Sequence, residues 1–482
     1  MKILYMNVQG CFCDALKDNK IYDILQKHRK RKTMKQIRIG TGSGGCTFER
    51  MEPTLELLEQ GKLDYIVFEC LAERTMADAQ KAKLQDSSKG YNPMLEERMR
   101  AVLPLALAKR TKIISNMGGA NTAAAVEKIE EISRELGLTV KIAMVTGDDL
   151  TERLSAYQDA PLLDRPGVLQ DLAGVISANA YLSGDPIAKA LDGGADVVIT
   201  GRVADPALFV GPLKHEFGWT ADQPEKLGQA LLLGHLLECA AQLTGGYYAD
   251  PGYKDVPDLH KLGQPIAQID ETGKFIITKV AGSGGLIREA ICREQLLYEI
   301  TDPAHYITPD GIADFSRVTF TQLDDQRVLA EHANCKGEPD TYKVNIGYQD
   351  CWVSFGEISY GGSNALARAQ LAADVVQKRW QLRGIAPDEV RVDYIGYSSL
   401  YGEEISAAIT QSTAHEIRLR ITVRTKTQEE AVALLREVQV LYINGPAGGG
   451  GIFTSIAQQL SVENILVPRQ DIPYHVIYRE VR

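Results

Sequence analysis

Short apolar runs that stop at a glycine-rich turn recur along this chain, and that repetition limits the possible folds more than any other feature. Ile37-Arg38-Ile39 runs into Gly40-Thr41-Gly42-Ser43-Gly44-Gly45, and Lys112-Ile113-Ile114-Ser115 into Asn116-Met117-Gly118-Gly119-Ala120-Asn121. Asp196-Val197-Val198-Ile199-Thr200 runs into Gly201-Arg202-Val203-Ala204-Asp205-Pro206. Thr244-Gly245-Gly246-Tyr247-Tyr248, Ala281-Gly282-Ser283-Gly284-Gly285 and Asn444-Gly445-Pro446-Ala447-Gly448-Gly449-Gly450-Gly451 continue the theme. Glycine lets backbone N–H groups turn toward a ligand with no Cβ in the way. Six such segments suggest a site built from backbone, of the kind that holds phosphates or carboxylates.

Between these turns the spacing predicts strands at 65–68 and 141–145 and helices at 52–61, 95–110, 122–136 and 186–192. Short continuous apolar strands alternating with helices are the pattern of a mostly parallel sheet covered on both faces, a three-layer α/β arrangement. Ligands of such sheets bind outside the carboxyl ends of the strands. A (β/α)₈ barrel shares the local pattern, but the texture changes before eight units accumulate. A leucine-rich helix is predicted at 224–242. Beyond it, strands at 274–280, 341–348, 391–397 and 416–425 with helices at 365–382 and 428–441 read as α+β. The expected division is therefore an α/β domain at 34–265 and an α+β lobe at 266–482. Residues 1–33 carry eight Lys/Arg against three Asp and include Lys27-His28-Arg29-Lys30-Arg31-Lys32. They read as an atypical N-terminal extension, with Met34 as the natural start.

The formal net charge of -10 argues against nucleic acid or an anionic membrane as the main partner. No apolar run approaches the ~20 residues of a membrane span. Eight cysteines without a CxxC pair or a secretory signal read as reduced thiols of a cytoplasmic protein, with no structural zinc.

Several constellations can carry chemistry. Glu69 follows a buried strand, where burial can tune a carboxylate into a general base, and Arg74 can clamp an anion in bidentate fashion. The same two residues also fit a Glu–Arg pair that fixes the loop. Arg202 beside Gly201 suits an anion clamp held by Asp205, while Asp205 before Pro206 also suits a helix start. His235 and Glu238 form a polar stripe on a leucine-rich helix; such a stripe, if buried, is paired or functional. A structural His–Glu contact is the alternative. Asp148, Asp149, Asp164 and Asp171 can offer oxygen ligands to Mg²⁺, or serve as caps and solvated charges. Cys70 and Cys239 can be nucleophiles or inert packing. The GxSxG elbow is absent, and the glycine run after the first strand lacks the acidic partner of a dinucleotide site.

Asp64-Tyr65-Ile66-Val67-Phe68-Glu69-Cys70-Leu71-Ala72-Glu73-Arg74-Thr75 and Asn116-Met117-Gly118-Gly119-Ala120-Asn121 resemble the acyclic terpene utilisation family AtuA. So do Gly234-His235-Leu236-Leu237-Glu238-Cys239 with Thr244-Gly245-Gly246, Glu294-Gln295-Leu296-Leu297-Tyr298-Glu299 and the glycine run at 444–451. The resemblance covers about residues 35–481. It implies a role in catabolism of branched acyclic terpenoids and, more broadly, in acyl-CoA and carboxylic-acid pathways. It also implies a small AtuA-like ferredoxin-fold unit, expected here as a separate partner subunit. No catalytic residue is carried over from it.

Together these features predict a cytosolic enzyme acting on a carboxylate or acyl-CoA, most simply a lyase or hydratase, and a homo-oligomer. Gly42, Ser43, Gly44, Gly45, Asn116, Gly118, Gly119, Gly245 and Gly246, with Arg74 or Arg202, would hold the anion. Glu69, His235 and Glu238 would move protons. The alternative is a non-catalytic subunit that binds acyl-CoA or a nucleotide.

Overall fold

A strand covered on both faces must be apolar throughout, and Tyr65-Ile66-Val67-Phe68 is such a strand: all four residues are buried. It lies at the heart of a ten-stranded sheet. The computed structural model describes residues 34–45, 48–409 and 415–482; the expected extension at 1–33 lies outside them. The strands that matter for function are β1 (Gln36–Ser43), β2 (Tyr65–Phe68), β3 (Lys112–Ser115), β4 (Val140–Thr146), β5 (Val175–Ala180), β6 (Val197–Thr200), β7 (Pro265–Asp270) and β8 (Phe275–Lys279). The helices among and just beyond them are α1 (Glu52–Gln60), α2 (Glu73–Gln85), α3 (Leu95–Lys109), α4 (Thr122–Glu135), α5 (Asp185–Asp192), α6 (Ala207–Phe217) and α7 (Pro224–Glu238).

Five strands, in the order β1-β2-β3-β6-β4, run parallel. Antiparallel strands extend both edges. β7 and β8, then Arg327–Glu331 and Thr319–Asp324, follow β1, and His475–Val481 pairs with β4. The sheet is therefore mixed, parallel only at its centre. It also crosses the expected boundary at 265, because β7 pairs with β1 and the last strand of the chain with β4. An antiparallel edge strand joins wherever backbone donors are free, and nothing in its local texture names that partner.

Alternation of side chains places Tyr65 and Val67 in one core with α5, α6 and α7, and Ile66 and Phe68 in another with α1, α3 and α4. This is the three-layer arrangement that the apolar runs imply. A second sheet is built on two long antiparallel strands, Thr341–Gly361 and Gly450–Pro468, with Glu416–Thr425 and Glu389–Ile395 beside them. Helices Ala365–Arg383 and Gln428–Gln439 cover one of its faces through Val376, Trp380, Leu434 and Val438. β5 pairs with Thr341–Gly361, which carries this sheet to the carboxyl edge of the first. Among the described residues no helix is long and apolar enough to cross a membrane.

Candidate functional site

The five parallel strands end along one edge, as the edge rule requires. β2 delivers Glu69 and the start of α2, β3 delivers Asn116, β4 leads to Asp148, and β6 delivers Gly201 and Arg202. Glu69 is buried. Its Oε1 accepts hydrogen bonds from Leu71 N (2.8 Å) and Asn116 Nδ2 (3.0 Å), and its Oε2 accepts one from Gly45 N. Asn116 Oδ1 accepts from Cys70 N at 2.8 Å. Gly44 N donates to Glu49 at 2.9 Å, Thr54 Oγ1 to the Gly42 carbonyl at 2.8 Å, and Ser43 Oγ to the Glu69 carbonyl at 3.0 Å. Gly118 N and Gly119 N donate to Thr200 and Asn116 carbonyls, and Gly245 N and Gly246 N to Gln242 and Ala241 carbonyls. These loop donors are thus engaged within the protein. What Gly44 supplies is close approach: a Cβ there would overlap the Glu238 carbonyl and the Cys239 backbone, so only glycine seats β1 against the end of α7.

Beyond this hydrogen-bonded shelf lies a cavity of about 710 Å³. Arg202 lines it while remaining only 1% exposed. Its Nη1 donates to the Leu71 carbonyl, and its Nη2 meets Asp205 Oδ1 at 2.5 Å. Its guanidinium lies 4.1 Å from the Tyr181 ring centroid, a cation–π contact strengthened by burial. Lys343 Nζ approaches the same ring at 4.8 Å and pairs with Glu73 at 2.6 Å. The Tyr181 hydroxyl donates to Glu73 at 2.8 Å. Arg202 N donates to Asp148 Oδ2 at 2.9 Å, and Asn179 Nδ2 to the same oxygen at 3.0 Å.

Burial sets the protonation states. It raises Asp205 well above the usual carboxylate range; Arg202 opposes this, and Glu69, Glu238 and Glu299 add to it. Glu238 rises well above its ordinary value, through burial and then the charges of Glu69 and Glu299. Burial pushes Asp148 up to about 6 against its hydrogen bonds. Burial alone would lower Arg202, but Asp205, Tyr181 and the neighbouring glutamates outweigh it and raise it. The cluster therefore holds a fixed cation among carboxyl groups that resist ionisation.

His235 lies behind this wall. Its Nε2 faces the carbonyls of Gln295 (3.1 Å) and Leu296 (3.2 Å), so Nε2 carries the proton and the ring is neutral. Burial lowers its pKa to about 4. Nδ1 lies 3.3 Å from Glu238 Oε1 without hydrogen-bond geometry, and neither Nδ1 nor Glu238 Oε2 has a partner. The ring packs on Tyr306, 5.3 Å between centroids, and Tyr306 lines the cavity.

The fold thus gathers Glu69, Arg202 and Glu238 around one point and places Arg74 on the cavity wall. His235 is one layer back, and Gly245 and Gly246 lie on a turn that does not line the cavity. The four aspartates separate: Asp149, Asp164 and Asp171 accept from Thr151, Asn464 and Val168, while Asp148 supports Arg202. Among the described residues no group of three His, Cys, Asp or Glu side chains gathers for a metal ion. Burial pushes the Cys70 thiol up to about 12 and raises Cys239 as well, which disfavours their thiolates.

Sequence reasoning missed Tyr181, Lys343, Tyr306 and Glu299. Only Glu299 left a signal, since it ends the block Glu294-Gln295-Leu296-Leu297-Tyr298-Glu299. It sits at φ 60 on the cavity wall, a left-handed conformation that a non-glycine residue rarely adopts.

Fold and cavity together define an α/β protein with a charged, ligand-sized cleft at the carboxyl edge of a mixed sheet. More particularly, the chain belongs to the acyclic terpene utilisation family AtuA, whose family model matches residues 37–478. No curated protein and no solved structure matches it.

Proposed function

We propose that this chain is a cytosolic catabolic enzyme, a lyase or hydratase that works on a carboxylate or acyl-CoA substrate by general acid–base chemistry. One observation carries the reading: Asp205 opens onto the cavity beside the buried cation Arg202, and desolvation raises its carboxyl well above the usual carboxylate range. A neutral carboxylic acid at such a place can donate a proton to a leaving hydroxyl. Glu299, on the same cavity wall, takes the proton α to the carbonyl. The C–H and C–O bonds break, a C=C bond forms, and the hydroxyl leaves as water with the proton from Asp205. Hydration runs the same steps backward. Glu69 and His235 do not line the cavity. They act by position, Glu69 by fixing the turns around Asn116 and Gly45, and His235 by backing Tyr306.

The test is turnover of 3-hydroxy acids and their CoA thioesters by the wild type and by the Asp205→Asn and Glu299→Gln variants. Each variant should lose about 10²–10⁴-fold in rate while keeping its circular dichroism spectrum and ligand-induced thermal shift. Wild-type rates in both would remove the acid–base assignment.

A further inference from the structure

The second sheet has two edges, and they are built differently. Glu389–Ile395 forms one edge and Gly450–Pro468 the other. The first carries Glu389, Arg391 and Asp393. Such charges keep an exposed edge from recruiting further strands. The second has no Asp, Glu, Lys, Arg or Pro from Gly450 to Val462, although charged residues make up 24% of the chain.

The backbone of this uncharged edge is open among the described residues. Arg469 N donates to the Asp340 carbonyl at 2.9 Å, which fixes the phase of the ladder with Thr341–Gly361. Asn464 then faces outward, and its carbonyl accepts Leu163 N at 2.9 Å. By alternation the N–H and C=O groups of Leu460, Gln458, Ile456, Thr454 and Ile452 face the same way. Of these, only the Leu460 carbonyl has a donor, the Gln459 side chain at 3.0 Å. The row from Ile452 to Gln458 has no strand beside it.

The side chains repeat the pattern. On Glu416–Thr425 of the same sheet the helix-facing residues Ile417, Leu419, Ile421 and Val423 are all buried. On the edge strand no residue from 450 to 459 is buried, and Phe453 is 54% exposed. A groove of about 200 Å³ runs between this strand and helix Gln428–Gln439, lined by Val432, Leu435, Thr454 and Ile456.

An open row of backbone groups takes an extended strand, and charge selects which one. The chain carries a net charge of -10, so two copies repel where their charged surfaces meet; this edge brings no charge to the contact. Paired antiparallel with its own copy, the strand is self-complementary, and the twofold axis closes the assembly at two. The size suffices. About nine residues span about 30 Å, and a sheet with its helix layer is about 20 Å deep. Each copy then buries about 600 Å², or about 1,200 Å² in total, within the range of stable interfaces.

We propose that this chain forms a homodimer in which the outer edges of Gly450–Pro468 from two copies pair antiparallel, joining their two sheets into one. The pairing stands independently of the chemistry at the cavity.

Sedimentation equilibrium on the full chain, from about 1 to about 100 μM, tests it. The wild type should reach twice the 52.9 kDa of one chain. Ala457→Lys alters an exposed side chain and brings two like charges into the interface. Gln458→Pro removes an outward N–H and leaves the ladder to Thr341–Gly361 intact. Both variants should keep the wild-type dichroism spectrum and raise the dimer dissociation constant at least about 100-fold. Hydrogen exchange at Thr454, Ile456 and Gln458 should slow as wild-type concentration rises, and should not in Ala457→Lys. A wild type that stays monomeric at the highest concentration overturns the proposal, as does a trimer or larger ring, or a dimer undiminished in both variants. If Gln458→Pro fails to fold, Ala457→Lys decides alone.

Discussion

Acid should loosen this fold at His235, by an amount the structure sets. In the native state the ring is buried and donates through Nε2 to two carbonyls, and burial holds its pKa at about 4 against an ordinary 6.5. In the unfolded chain the ring takes a proton at its ordinary pKa. Between 6.5 and 4 the unfolded state therefore binds the extra proton. The stability His235 contributes is present above 6.5 and is lost as pH falls toward 4. Linkage gives a loss of about 2 kcal/mol by about pH 5 and about 3 kcal/mol by about pH 4. Asp148 has the opposite sign: its raised pKa of about 6 contributes stability below the ordinary carboxylate range that is lost as pH rises through 6. The difference between wild type and His235→Gln isolates the histidine, because Gln keeps an N–H donor for the carbonyls of Gln295 and Leu296 and cannot ionise. At about pH 8 the variant should be the less stable by about 1–2 kcal/mol, from lost packing on Tyr306 and Phe315. By about pH 5 that gap should shift by about 2 kcal/mol in the variant's favour, closing or reversing to about 1 kcal/mol. Urea midpoints across this range measure it, and histidine-selective NMR reads the ring directly. A gap that stays constant with pH would refute the claim that His235 is neutral and buried in the folded state.

Two further substitutions test the supports of the cavity. Gly44→Ala should cost about 1–3 kcal/mol, read as a lower melting temperature, because its Cβ would overlap the backbone at the end of α7; an unchanged melt would mean that this approach is looser. Lys214→Met should cost about 3–5 kcal/mol, since Lys214 pairs with Asp185 at 2.6 Å and with the buried Asp310 at 2.7 Å. Adding Asp310→Asn should recover part of that loss, and strict additivity of the two would count against the buried pair.

Local patterns carried much of the architecture. Strands at 65–68, 112–115 and 416–425 stand where the apolar and alternating runs put them, and the helix predicted at 122–136 spans Thr122–Glu135. Other elements were silent. Gly450–Pro468 begins in the glycine run and carries Gln458, Gln459 and Ser461; it is a strand because it pairs along Thr341–Gly361, not because of its own composition. Helix α2 is polar through most of its length and was not predicted. Its burial against β5 and the long strands defines it.

The site divides in the same way. That Glu69, Asn116 and Arg202 stand along one edge was legible locally, because each follows an apolar strand and parallel strands end together. What surrounds that edge came from packing across the whole chain. It brought Tyr181 and Lys343 over Glu73, enclosed Arg202 against the Tyr181 ring, placed His235 behind Tyr306 and engaged the glycine N–H groups within the protein. Secondary structure is written in contacts between near neighbours, whereas desolvation depends on segments far apart in the chain, and no local pattern records which groups will be excluded from water together.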